Sequence, residues 1–536
     1  MDGLMQNRAL DVSSLMRRAE GVFGHKRVVT ATAVGEVETT WREVVARARR
    51  LAGVLDALDV PFGARVGTFG WNSQRHLELY LAVPSAGRVL HTLNHRLFPS
   101  ELAYIVGNAA DDVLFVDRSL LPAVWPLRER FPTVRRWVVL DDGGDEEIPD
   151  DPRVLDYENV LARVDVPPAP AIVAEDDAAS LCYTSGTTGR PKGVLYSHRS
   201  IVLHVLMTLA ADSFGISEGD VVMPIVPMFH VNGWGMPYAA AMAGAKLVLP
   251  GPRMSATDLA SALTRHRVTV AAGVPTIWRS LEPLLRDIDL SSLRMAVSGG
   301  SALPVSLARS YQEKAGVTLS SSWGMTETSP LVTSARLATT HDALDADAQR
   351  EVLCSPGRSV PLTELRLVDD DNNTVPHDGS AAGEVQVSGP TVASGYFGSE
   401  ADGEHFTEDG WLRTGDVGTI DPEGYLRIID RTKDLVKSGG EWISSVSLEN
   451  EIMAHPDVLE AAVLGVPDDK WGERPLACVV VEPERTLAAE ELRAHLAGRV
   501  ASWWVPDEFR FVPEIPKTAT GKFSKVALRK QLTTGQ

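Results

Sequence analysis

Cysteine is scarce in this chain. Cys182, Cys354 and Cys478 are the only three in 536 residues, and no two stand in a CxxC spacing. That excludes a disulfide framework and a cysteine-built zinc site. Long apolar runs are missing too. No stretch of about 18 consecutive apolar residues occurs, so no membrane span is expected. The opening MDGLMQNRALDVSSLMRRAEG lacks the apolar core of a signal peptide. Positive charge is in deficit: 52 Lys and Arg against 71 Asp and Glu leave a formal net charge of −19. This argues against non-specific binding to nucleic acid or anionic membrane. It also means that any polyanionic ligand must be met by locally clustered cations. What is present is ordinary globular material, 44% hydrophobic and 23% charged, which can build a sizeable core. The length predicts two or more units, and a cytoplasmic setting is the default.

From about Trp41 the texture alternates. The amphipathic WREVVARARRLAGVLDAL leads to ARVGTFG; the amphipathic SQRHLELYLAVPSAG leads to RVLHTL; a Pro99-Ser100 start opens ELAYIVGNA before DVLFVD. Short β-rich runs separated by helical periodicity predict α/β layers with mainly parallel strands. DDGGDEEIPDDPR at 141–153 holds seven acids and one Arg and reads as a solvated loop. Beyond Pro361 the runs shorten. TELRLVDDD, GEVQVSG and GYLRIID alternate with Asp-Asn and Gly turns and predict antiparallel strands. After Arg431 a small βαβ-like pattern follows, which places a domain boundary near 430–434 and predicts units at 1–432 and 433–536.

Four stretches carry chemistry. YTSGTTGRPKG (183–193) follows an apolar run. Gly186 and Gly189 leave backbone N–H groups open to an anion; Thr184, Ser185, Thr187 and Thr188 add hydroxyls, and Lys192 adds charge. It is not a Walker A loop, because the required Gly-Lys-Ser/Thr spacing is absent. A polar turn after a strand is the plain alternative. In SSWGMTETSP (321–330), Glu327 among hydroxyls suits Mg²⁺, and Trp323 offers a flat face to a purine. A capping Glu and a core Trp would look the same. In GWLRTGDVGTIDPEGYLRIIDRTKDLVKSGGEWISS (410–445), Asp416 in a Thr-Gly turn could take two ribose hydroxyls. The charged DRTKD run reads as a mobile hinge, and Gly439 and Gly440 could admit a long thin ligand. Finally, no acid occurs from Ile515 to the C-terminus, while Lys517, Lys522, Lys525, Arg529 and Lys530 lie within fourteen positions. Gly521-Lys522 suggests a lysine carried on a turn towards phosphate.

Together and in this order, YTSGTTGRPKG, GMTET, RTGD, DRTKD, KSGGEWISS and PKTATGK resemble the adenylate-forming superfamily of acyl-CoA synthetases, adenylation domains and beetle luciferases. The resemblance runs from about residue 30 to 530. Within the superfamily, MFHVNGWGMPYAA (228–240) and KSGGEWISS are most similar to bacterial long- and medium-chain fatty acyl-CoA synthetases. Trp323 stands where Tyr is common, and Trp also occurs there in relatives resembling methylmercaptopropionate-CoA ligases. The resemblance implies a large N-terminal α/β domain of several subdomains with a β-barrel-like part, and a small α+β C-terminal domain on a hinge. It implies a carboxylic acid, ATP and CoA as substrates, Mg²⁺ as cofactor, no nucleic-acid partner, and a place in fatty-acid and lipid metabolism. A homodimer is compatible with it.

The resemblance also implies roles. Thr184, Ser185, Gly186, Thr187, Thr188, Gly189 and Lys192 hold the β- and γ-phosphates. Thr184 and Glu327 bind Mg²⁺. Gly300, Ser301, Trp323 and Gly324 flank the adenine, and Thr326 touches the α-phosphate. Asp416 and Arg431 hold the ribose, and Lys522 meets charge that develops during adenylation. Lys433 is the hinge. Rotation about it exchanges Lys522 for the loop Lys437, Gly439, Gly440, Glu441 and Trp442. His230, Val231 and Trp234 mark the gate of the acyl tunnel. Short-chain acid ligases of the 3-methylmercaptopropionate type and aryl acid ligases are the alternatives. An amino-acid adenylation module is disfavoured: no carrier segment follows Lys522, and MFHVNGW lacks the Asp used for the amine. A silent nucleotide-binding protein is disfavoured by the presence of Lys522 and Glu327.

Overall fold

The computed structural model describes residues 3–184, 190–369, 371–399, 404–439, 441–517 and 523–534. Two large sheets form the first part of the chain. One orders its strands Val154–Asp156, Arg136–Leu140, Val113–Asp117, Arg65–Phe69, Val89–Thr92, Ala178–Tyr183, Gly193–Ser197. The other runs Arg358–Ser359, Leu331–Ser334, Leu319–Gly324, Met295–Ser298, Val270–Gly273, Val221–Pro224, Lys246–Leu249, Arg27–Ala31, Glu36–Thr40. Inner strands of both pair in parallel; antiparallel pairs sit at the edges. The parallel strands are apolar on both faces, as helical cover on each side requires; every residue of Val113–Asp117 is buried.

Helix Trp41–Ala57 shows why the sequence folds this way. Thr40 caps it in a reciprocal box with Glu43, and Trp41, Val44, Val45, Ala48, Leu51, Val54 and Leu55 make one buried stripe. Helix Gln74–Ser85 departs from the amphipathic expectation. All its residues from His76 to Ser85 are buried. It touches strands Val89–Thr92 and Ala178–Tyr183 of one sheet and Arg27–Ala31 of the other, so no face is left for water. The acidic loop is corrected in part as well. Asp142 is buried, because Ser119 N (3.2 Å), Gly144 N (3.1 Å) and the Ser119 hydroxyl all donate to its carboxylate.

A four-stranded antiparallel sheet follows, in the order Glu364–Val368, Gly383–Ser388, Leu412–Ile420, Leu426–Arg431. The last part is α+β. Its sheet joins Glu441–Ile443, Val436–Ser438, Gly472–Val481 and Val458–Asp468, with Glu508–Phe511 alongside Gly472–Val481. The strands at 458–468 and 472–481 pair antiparallel, so the βαβ unit lies one element later. It is Gly472–Val481, helix Ala489–Leu496, then the parallel strand Glu508–Phe511. The expected class therefore stands: a large α/β part with mainly parallel sheets, then a small α+β part. No helix among the described residues is long and apolar enough to cross a membrane.

Candidate active site

Strand Ala178–Tyr183 delivers the chain to Thr184, and strand Gly193–Ser197 takes it away antiparallel. Thr184 N donates to Lys192 O at 2.9 Å, and Lys192 N donates to Thr184 Oγ1 at 3.1 Å. Thr184 and Lys192 thus face each other at the end of the antiparallel strand pair. Ser185, Gly186, Thr187, Thr188 and Gly189 lie outside the described residues. The neighbouring cation, Arg190, is drawn aside over the Tyr104 ring at 5.3 Å.

Across from this strand pair, strand Leu319–Gly324 ends in a short 3₁₀ turn, Thr326–Thr328. Gly324 is sterically required: a Cβ there would lie 1.8 Å from Pro330 O. Thr326 and Glu327 are both buried. Tyr196, on the return strand Gly193–Ser197, donates its hydroxyl to Thr326 O at 2.5 Å. Burial holds that phenol well above its usual range, so it stays protonated. Tyr396 donates to Glu327 Oε1 at 2.7 Å, and Lys192 Nζ stands 4.7 Å from the Tyr396 ring centre. Lys192 Nζ is also 3.3 Å from His405 Nε2. Lys192 and Glu327 are therefore joined through Tyr396. Residues 196, 396 and 405 escaped the sequence reading because chain distance hides them; Tyr396 is 69 positions from Glu327.

A second cluster forms at the antiparallel sheet. Trp323 Nε1 donates to Asp416 Oδ2 at 3.0 Å, and Arg431 Nε lies 3.2 Å from Asp416 Oδ1. Asp416 is not in a turn as expected. It sits within strand Leu412–Ile420, in register with Arg431, just after Gly415 at φ +71°. The strand explains why its carboxylate is buried and directed: both neighbours come from defined registers. Gly300, at φ +84°, and the exposed Ser301 follow strand Met295–Ser298.

The HVNGW run takes an unusual form. Val231, Asn232, Gly233, Trp234 and Gly235 have φ of 46°, 53°, 58°, 55° and 68°, a left-handed turn with three non-glycine members. Each such residue costs roughly 1–2 kcal/mol. Tertiary contacts offset this. Buried Asn232 Oδ1 accepts from Ser180 Oγ at 3.1 Å and Cys182 Sγ at 3.5 Å. Burial raises the Cys182 thiol to about 11, so it remains a donor at neutral pH. The strand that ends at Thr184 thus also pins the turn that carries Trp234. Trp234 in turn abuts the glycine before Gly300: a Cβ at Gly299 would lie 2.9 Å from Trp234 Cη2. Half-buried His230 begins the turn, accepting from Gly233 N at 3.0 Å. His204 closes it from below, since a Cβ at Gly235 would be 2.5 Å from its Nδ1. His204 is buried, which pushes its imidazole down to about 4.

The DRTKD run is a bonded turn: Thr432 N donates to Gly415 O (2.9 Å) and Asp434 N to Arg431 O (2.8 Å). Lys433 is exposed on it. The loop expected at 437–442 is a β-hairpin, with Lys437 opposite Trp442 and Ser438 opposite Glu441. Lys437 Nζ lies 4.4 Å above the half-exposed Trp442 ring. Gly439, at φ +63°, donates to Trp471 O at 2.7 Å. Gly440 and Lys522 lie outside the described residues. On either side of residues 518–522, Lys517 bridges Phe523 and Ser524 N donates to Pro516 O at 2.7 Å.

The structure thus brings together two sets: Thr184, Lys192 and Glu327 around Tyr396, and Trp323, Asp416 and Arg431 at the sheet. Trp234 adjoins the second through Gly299. As for Mg²⁺, Glu327 offers a buried carboxylate whose Oε2 has no hydrogen-bond partner among the described residues. Hard oxygen donors of this kind, one carboxylate and one hydroxyl, fit Mg²⁺ that shares phosphate oxygens.

Known proteins resemble this chain along nearly its whole length. A long-chain-fatty-acid–CoA ligase of Thermus thermophilus is 47% identical over 533 residues, covering 98% of this chain and 96% of that protein. A 3-methylmercaptopropionyl-CoA ligase of Ruegeria lacuscaerulensis is 43% identical over 532 residues, covering 99% and 98%. Among solved structures, an anthranilate CoA ligase in complex with anthranoyl-AMP superposes with a TM-score of 0.87 at 29% identity, over 98% of each chain. Residues 17–397 match the AMP-binding enzyme family and residues 447–522 its C-terminal domain, so Thr184, Lys192, Glu327 and Lys522 all fall within matched spans. The chain belongs to the AMP-binding enzymes.

Proposed function

We propose that this protein is an AMP-forming acid–CoA ligase whose acid is a medium- or long-chain fatty acid. In the first half-reaction a carboxylate oxygen bonds to the α-phosphorus of ATP, the bond from that phosphorus to the bridging oxygen breaks, and pyrophosphate leaves. In the second, the CoA thiol bonds to the acyl carbon, the carbon–oxygen bond to AMP breaks, AMP leaves and the thiol proton passes to solvent. The residues divide the work. Thr184, Lys192 and the stretch Ser185 to Gly189 between them cradle the β- and γ-phosphates. Thr184 and Glu327 would hold Mg²⁺, which supplies charge neutralisation on the phosphate oxygens. Trp323, Gly324, Gly300 and Ser301 flank the base, and Thr326 meets the α-phosphate. Asp416 takes the ribose hydroxyls beside Arg431. Its carboxylate has about four lone-pair sites and spends two on Trp323 and Arg431. Lys522 stabilises the transition state of adenylation. Domains of 1–432 and 433–536 turn about Lys433, and the Lys437–Trp442 hairpin lines the path of the CoA arm. Free thiols at all three cysteines suit a reducing cytoplasm.

The observation that supports this reading is the close approach of Trp234 to Gly299, the residue before Gly300. His230 and Val231 lead into the acyl gate. A second reading, a short thioether acid, is favoured by a different observation. Tyr80, Met228, Met236 and Tyr238 are fully buried in the cluster that holds Trp234, with the two tyrosine rings 5.3 Å apart. The test is CoA-dependent AMP release over straight-chain acids from acetate to stearate, with thioether and aryl acids alongside. The fatty-acid reading expects kcat/KM to climb with chain length; a peak at butyrate or shorter, or at the thioether acid, replaces it.

A further inference from the structure

Strand Leu426–Arg431 is the last before the hinge turn, and helix Ser445–Met453 is the first after it. Between them lies an ionic cluster that the ligase reading does not use. Asp430 is buried; its Oδ1 accepts from Arg431 N at 2.7 Å and its Oδ2 from Ser445 N at 2.5 Å. Ser444 Oγ donates to Ile429 O as a second tie to the same strand. One helical turn after Ser445, Glu449 is buried and accepts from Val463 N at 2.8 Å. The same carboxylate oxygen lies 2.7 Å from Lys525 Nζ, and that ammonium also donates to Ser445 Oγ. Lys525 is the first residue of the C-terminal helix Lys525–Thr534, whose cap is Ser524. Just before it, Phe523 bridges Lys517 and Ser524 N donates to Pro516 O. One turn further on, Arg529 reaches Asp434 in the hinge turn at 3.5 Å.

Buried Glu449 therefore pairs with the largely enclosed Lys525 ammonium, and Ser445 links that pair to buried Asp430, its backbone facing Asp430 and its hydroxyl facing Lys525. Burial pushes the Asp430 carboxyl up, and the nearby Lys525 charge opposes that shift. Ion pairs this deep add little net stability, but removing one partner is costly. They serve best to select one arrangement over another.

We infer that Lys525 is a positioning residue, the cationic centre of a latch from Asp430 through Ser445 to Glu449 that fixes where the Lys517–Phe523 bridge stands relative to the turn at 431–434. The inference rests on the proposed division at 432/433. It predicts that loosening the latch changes how the two domains are populated, and so the balance of the half-reactions, without touching any substrate.

The experiment uses the full chain with one fluorophore on each domain and no substrates, so it does not depend on the acid or on CoA chemistry. Lys525→Ala and Asp430→Asn are both expected to broaden the energy-transfer distribution, Ser445→Ala to do so less, and Lys525→Arg to restore it. Kinetically, the ratio of adenylation to thioester formation from pre-made acyl-adenylate should shift by about tenfold or more, because a buried ion pair has lost a partner. Asp430→Asn leaves one acceptor oxygen where the carboxylate gives one each to Arg431 N and Ser445 N, and it leaves the Lys525–Glu449 pair intact, so it answers the question if Lys525→Ala fails to fold. An unchanged distribution in folded Asp430→Asn overturns the latch. So does an equal fall of both half-reactions, which would make the cluster simple packing.

Discussion

The strand that carries Trp323 and the turn that carries Trp234 meet at Gly299, where a Cβ would lie 3.0 Å from Ser322 O and 2.9 Å from Trp234. Their construction differs. On the Trp323 side, everything follows from strand register. Asp416 and Arg431 stand opposite each other in an antiparallel pair, and Trp323 reaches the same carboxylate from a third strand. No backbone is forced, apart from a glycine at 415. On the Trp234 side, the backbone itself is driven into a left-handed path, and side chains from other elements hold it there. A site built by register should tolerate backbone change and fail when a charge is removed. A site built by strain should tolerate loss of a side chain and fail when the backbone is altered.

The largest effect is expected from Asp416→Ala. It leaves the Trp323 indole N–H and the Arg431 guanidinium without their shared acceptor. Hydrogen bonds to charged groups are worth roughly 1.5–3 kcal/mol each, so kcat/KM for ATP should fall about 10²-fold. KM for the acid should hardly move. Asp416→Asn keeps an acceptor for Trp323 and should lose less. Equal losses for ATP and acid would show that the two sides are one unit.

Next is Gly235→Ala. The new Cβ meets His204 Nδ1 at 2.5 Å, and φ is +68°. Gly410→Ala is the matched control: φ is +87° there, with nothing within 4 Å of the Cβ. The control should cost only the left-handed penalty, about 1–2 kcal/mol. The overlap with His204 should add about 1–3 kcal/mol more at 235. Urea midpoints at one pH measure both. Matching losses would mean that the imidazole yields freely and does not support the turn.

The same contrast decides what was legible in the sequence. The parallel sheets were readable because strands buried on both faces are continuous apolar runs such as DVLFVD. Glu327, Lys192 and Trp323 were readable because their neighbours in sequence share their chemistry. Asp416 was placed in a turn because Thr-Gly precedes it, and only pairing with Arg431 shows a strand. The left-handed turn was not readable. Asn232, Gly233 and Gly235 permit it, but the contact of Asn232 with Ser180 is 52 positions away and decides it. Tyr196, which donates to Thr326 from 130 positions away, carried no signal of its own.

Acid should act on the strained side. Burial holds His204 at about 4 and leaves its Nε2 without a partner among the described residues. An exposed imidazole titrates near about 6.5, so between about pH 6.5 and about 4 the unfolded chain binds a proton that the folded chain does not. Stability from this group is full above that window and falls as pH drops through it, by about 1.4 kcal/mol per pH unit. Buried His76 and half-buried His95, at about 4 and about 3, act in the same direction. His204→Gln should therefore flatten the stability–pH curve between pH 6.5 and 5 relative to the wild type. An unaltered slope would mean that His204 takes its proton in the folded state.

The smallest effect, and the most informative about substrate, is expected from Trp234→Ala. Strain is set by the backbone of 231–235 and by Asn232, so removing the indole should leave the turn in place. It opens space beside Gly299 and in the cluster that includes Met228, Met236 and Tyr238. Each CH₂ of a substrate chain that enters apolar surroundings is worth about 0.8 kcal/mol, or roughly fourfold in affinity. With an open channel, kcat/KM from acetate to stearate should climb until the channel is full, and the variant should extend or flatten that climb by a few-fold at the long end. The KM for ATP should stay at the wild-type value, because Trp323, Asp416 and Arg431 are untouched. If the variant raises the KM for ATP as much as it changes the chain-length profile, Gly299 transmits the loss, and the two sides cannot be treated apart. If long acids remain poor substrates for both proteins while a short thioether acid is used well, the buried tyrosines close the chamber and the short-acid reading takes over.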